Sequence, residues 1–78
     1  MNTTEKRTYK YLNEIIGVTD AKAFTEQFNE RYDYKHRFEL MEAIDANNLQ
    51  TYKSQKAIVF ERYAKRNAVY FNSGVYMW

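Results

Sequence analysis

His36 is the only histidine of this 78-residue chain, and so the one side chain whose ordinary titration falls near neutrality. It stands among Tyr34, Lys35, Arg37 and Phe38, with no serine or cysteine beside it to activate. A second histidine and any cysteine are both absent, so the usual nitrogen and thiolate ligands of a metal site are missing too. Carboxylates are plentiful, and Glu26 and Glu30 stand four residues apart. That spacing describes the solvated face of a helix better than an acid–base pair. With only two separated glycines, a Gly-rich phosphate loop cannot form. The expectation is a protein that is not an enzyme, without cofactor or metal.

The remaining chemistry is ionic and aromatic. Residues 11–48 hold eight acids against Lys22, Arg31, Lys35 and Arg37, whereas residues 49–78 hold five bases against Glu61 alone. The net charge of +2 therefore hides a dipolar molecule, whose field would steer a charged partner toward one end. On a helical wheel Arg62, Lys65 and Arg66 cluster opposite Ala57, Phe60, Tyr63 and Ala64. Lys53 and Lys56 project from the Phe60 side, where the apolar face gives out. Interleaved with Tyr52, Tyr63 and Tyr70, these cations could meet phosphates while the rings stack. The plainer reading is a basic outer face that solubilises its helix. Lys6, Arg7 and Lys10 form a secondary basic patch. At the other end of the chain, Val75-Tyr76-Met77-Trp78 either closes the core or meets a partner. Tyr76 and Trp78 are the interface anchors expected in the second case, since Trp and Tyr dominate interface energetics.

These residues need elements to hold them. Thr8, Tyr9, Leu12, Ile15 and Ile16 predict a first helix from about Thr4 to Ile16, stopped by Gly17. Asp20 then caps a second helix, with Ala21, Phe24, Phe28 and Tyr32 as its buried stripe. A third, from Tyr34 to Ala46, presents Leu40, Met41 and Ile44 and ends at Asn47-Asn48. The fourth begins near Gln50 and reaches Asn67 or beyond. Residues 12–28 resemble half of a helix-turn-helix, in Leu12, Ile16, Gly17, Val18 and Thr19. The second half departs from that pattern, with Phe24 and Phe28 carrying the apolar weight instead of positions 23 and 26. The β-prone runs Val69–Phe71 and Val75–Trp78 flank Asn72-Ser73-Gly74, which suits a hairpin. The rival reading extends the fourth helix to Phe71 and docks the tail as an irregular strap.

The expected fold is thus mainly α: residues 1–78 as a single domain, a compact bundle of about four short helices with a C-terminal β-hairpin or irregular strap. The longest apolar runs are four residues, so no membrane span is expected and the cytoplasm is the default location. Aromatics form 18% of the chain, more than a core this small usually needs. The composition looks like that of small accessory proteins of phages and bacterial mobile elements. A protein partner is the first expectation, with the chain docking on a larger protein, such as a nucleic-acid enzyme or complex, and modulating it. Direct DNA or RNA binding through the fourth helix is the second, and a homodimer of a self-associating structural protein the third.

Overall fold

A computed structural model describes residues 2–73, and in them four α-helices run into a 3-10 helix. Asn2 opens α1 (Thr3–Ile16) as its N-cap, its side-chain oxygen accepting the Glu5 N–H at 2.9 Å. Gly17 closes that helix at φ +90° and ψ 167°, a conformation nearly confined to glycine. The same residue starts α2 (Val18–Lys35), where no side chain supplies a capping hydrogen bond. Asp20, expected as the cap, lies instead inside the first turn, where its carboxylate faces the positive end of the helix dipole. The break expected near Asp33 falls at His36, between α2 and α3 (Arg37–Asp45).

Asn47 takes a positive φ of 55°, its N–H bonding to Ile44 O at 3.1 Å while that of Asn48 bonds to Ala43 O at 2.7 Å. Two such bonds satisfy the last carbonyls of α3 and turn the chain directly into α4 (Leu49–Asn67). Beyond Asn67 the helix tightens into the 3-10 helix (Ala68–Ser73). This corrects the expected hairpin and agrees with the rival reading of a helical path to Phe71: Val69–Phe71, the hairpin's first arm, is helical, and no strand occurs among the described residues. The expected second arm, Val75–Trp78, lies outside the described residues.

Packing follows the aromatic stripe of α2. Phe24, Phe28 and Tyr32 repeat every four residues, share one face, and are all buried. They meet α4 running the opposite way: Phe24 reaches Tyr63 at 5.4 Å between ring centroids, Phe28 reaches Phe60 at 4.9 Å, and Tyr32 reaches Tyr52 at 5.8 Å. Phe71 of the 3-10 helix closes the end of the row, edge-on to Phe24 at 5.4 Å. Leu12 of α1, Ala21 of α2, Ala64 of α4 and Ala68 of the 3-10 helix join the core, the small residues Ala64 and Ala68 letting α1 come close. Rings at these separations gain about 0.5–1.5 kcal/mol per pair beyond their burial, so the α2–α4 ladder joins the two helices through side chains, while α1 makes the closer backbone approach to both.

Of α3, only Leu40 and Ala43 pack against the core, and no residue of that helix is fully buried. Met41 and Ile44, grouped with Leu40 in the sequence reading, part from it here and are 55% and 58% exposed. The turn at His36 sets the phase of α3, so that Leu40 and Ala43 face α4 and the other apolar row faces outward.

Candidate functional site

α1 and α4 run side by side in the same direction, and the ion pairs between them decide which bases remain available. The Arg7 guanidinium donates to Glu61 Oε2 at 2.7 Å through both Nε and Nη2. Lys65 approaches the other oxygen of that carboxylate at 3.7 Å. The hydrogen bond from Arg7 is the chief cause holding the Glu61 carboxyl below its usual range. Arg7 is thus a clasp between helices, and Lys65 shares its acid. The contact also brings the N-terminal patch of Lys6 and Lys10 beside the basic helix, two features that lie far apart in the chain.

Lys56 is committed as well. Its ammonium meets Asp33 Oδ1 at 2.9 Å across the α2–α4 joint, and the Tyr52 hydroxyl donates to the same oxygen at 3.2 Å. Burial first, then the charge of Asp33 and this hydrogen bond, push the Tyr52 phenol well above its ordinary value. Tyr32, under the Lys56 ammonium at 5.8 Å, is raised by burial and by the charges of Glu39 and Asp33. These groups are a polar staple, and the placement of Lys56 is structural.

Lys53 is exposed beside an open groove of about 520 Å³ between α1, α2 and α4, floored by Tyr9, Phe28, Ala57 and Phe60. Arg62 and Arg66 are exposed, and neither makes an ion pair among the described residues. Ile58, 52% exposed, Arg62 and Lys65 occupy positions i, i+4 and i+7 on the outward side of α4, and Val69, 68% exposed, lies beyond them at the start of the 3-10 helix. Arg66 flanks that row, and Tyr70, 53% exposed, follows it on the 3-10 helix. The two aromatic anchors expected from the sequence, Tyr76 and Trp78, lie outside the described residues. His36 packs on the Tyr32 ring at 4.3 Å with Glu39 3.7 Å from Nδ1, and no metal-holding cluster occurs among the described residues.

No family model matches this chain, and neither a curated protein nor a solved structure matches it. No helix among the described residues is long and apolar enough to cross a membrane.

A second surface escapes the wheel reading. Tyr34, Phe38, Met41 and Ile44 are respectively 80%, 76%, 55% and 58% exposed, on the outer side of the α2–α3 segment. The signal was present in the sequence: α3 carries two apolar rows, Leu40 with Ala43 and Phe38 with Met41 and Ile44. A nine-residue helix on the edge of a bundle buries one row.

Proposed function

We propose that this chain is a small non-enzymatic interaction protein that docks on a larger protein and modulates it, as small inhibitors from phages and mobile elements do. Its docking surface is the outward side of α4 with the start of the 3-10 helix. The observation that carries this reading is the juxtaposition of two exposed guanidinium groups, without an ion pair among the described residues, with the exposed apolar side chains Ile58, Val69 and Tyr70. Arginine and tyrosine are enriched where proteins meet, and aliphatic neighbours reward burial against a protein surface but not against phosphates. The partner patch is therefore acidic at its rim and apolar at its centre. The dipolar charge pattern would speed the encounter, and the apolar residues would set its lifetime.

The second reading, direct binding of DNA or RNA, draws on the contiguity that Arg7 and Glu61 create between α1 and α4. It has Lys6, Lys10, Lys53, Arg62 and Arg66 to offer phosphates, with Glu61 set among them. Five phosphates neutralised would give a salt slope of about −4.5, below that of a protein making about six to ten phosphate contacts.

Affinity capture with the wild-type chain and with Arg62→Glu/Arg66→Glu and Val69→Asp variants tests the proposal. One protein retained by the wild type and lost by both variants, each with an unchanged circular dichroism melt, is the expected result. A partner retained equally by all three would remove the α4 surface from the account.

A further inference from the structure

We propose that the exposed row Tyr34, Phe38, Met41 and Ile44 is a self-association surface, on which α3 of a second copy lies antiparallel across a two-fold axis at Met41. None of the α4 docking residues takes part, so the inference stands whether or not that reading does.

Three observations converge on a second copy as the occupant. The first is incompleteness: α3 has no fully buried residue, and a helix of nine residues has little stability of its own in water. The second is area. At their exposures the four side chains present on the order of 500 Å² of largely apolar surface per copy, the upper end of what a monomer shows. Doubled across an isologous contact, this reaches about 1,000 Å², the lower bound for a specific interface.

The third is charge. Arg37 and Asp45 flank Met41 at four residues on either side; both are exposed, and neither makes an ion pair among the described residues. In an antiparallel pair about Met41, each residue faces the one equally far beyond the axis. Arg37 then meets Asp45 of the second copy, twice by symmetry, and Phe38 lies beside Ile44. A parallel pairing would oppose Arg37 to Arg37 and Asp45 to Asp45, which like-charge repulsion disfavours. The surface therefore complements itself in one orientation.

The test is the association state of the full chain, read by sedimentation velocity from micromolar to several hundred micromolar at low salt. A concentration-dependent dimer is expected for the wild type, abolished by Met41→Glu. Arg37→Asp and Asp45→Arg should each weaken it by about tenfold, and the double swap should restore it. Because these positions are exposed, melts of the variants monitored at low concentration should match the wild type. The chain has no cysteine, so Met41→Cys supplies an independent reading. Placed on the axis, that thiol should oxidise to a covalent dimer, whereas Asn72→Cys on the 3-10 helix should not. A wild type that stays monomeric throughout, a dimer indifferent to Met41→Glu, or a double swap that fails to restore association would each overturn the proposal.

Discussion

Phe28 touches Phe60, Tyr63 and Tyr32 at centroid distances of 4.9, 5.3 and 5.5 Å, which places it in the middle of the aromatic row. Its truncation to Ala should cost about 3–5 kcal/mol, read as a lower urea midpoint with an unchanged slope. A smaller effect would mean that Phe60 and Tyr63 collapse into the gap. Asn13 makes the opposite case. Its side-chain oxygen is buried with no hydrogen-bond partner among the described residues. Asn13→Leu should stabilise the protein by about 1 kcal/mol, because an apolar group of similar size has no desolvation penalty to bear. The phenols of Tyr32 and Tyr52 give a pH signature. Both are held above the ordinary 10.0 in the folded protein, chiefly by burial. A raised folded value means stability that is complete below the unfolded value and lost as pH rises beyond it. Denaturant midpoints should therefore be flat up to about pH 9 and fall above about pH 10, and Tyr52→Phe should make that fall shallower. A midpoint indifferent to alkali would contradict the burial assigned to both rings.

At the scale of elements, the glycine between α1 and α2 is the most constrained position. A Cβ at Gly17 would meet nothing within 4 Å, so the cost of a side chain there is conformational rather than steric. Gly17→Ala should lose about 1–3 kcal/mol by thermal melt, despite the open space around it. Helix existence was legible in the sequence wherever one apolar row stood alone: Phe24, Phe28 and Tyr32 announce α2, and Asn47 announces the end of α3. Two boundaries were not legible, and a third stood open between a hairpin and a longer helix. Asp20 suggested a cap, but Gly17 serves both helices and leaves Asp20 a place in the first turn. The break at His36 carries no proline or glycine to mark it, so the third helix was expected from Tyr34, presenting Leu40, Met41 and Ile44 together, whereas Leu40 packs inward and the other two face outward. Val69–Phe71 has β-prone side chains, yet Asn67 and Ala68 are buried in the joint and carry the helical path onward into the 3-10 turn. Local propensity yielded there to tertiary packing.

Across the whole molecule, pairing distinguishes structural bases from available ones. Twelve bases look equivalent in the sequence. The fold commits Arg7 to Glu61 and Lys56 to Asp33, while Arg62 and Arg66 remain exposed beside Ile58, Val69 and Tyr70. Arg7 is far in sequence from Glu61, and Lys56 from Asp33, so only the three-dimensional arrangement separates the two groups. The result is a bundle with a basic, partly apolar face on α4 and an apolar row bounded by opposite charges on α3. The first suits a protein partner of acidic and apolar character; the second suits another copy of the chain. Titration of the full chain with duplex and single-stranded DNA and RNA, at about 50 mM and about 200 mM salt, tests the protein-docking reading most directly. The account predicts no saturable binding at micromolar concentration in either salt, for the wild type or for Arg62→Glu/Arg66→Glu. Micromolar binding that falls steeply with salt and is lost in that double variant would contradict it, and would assign the α4 face to nucleic acid.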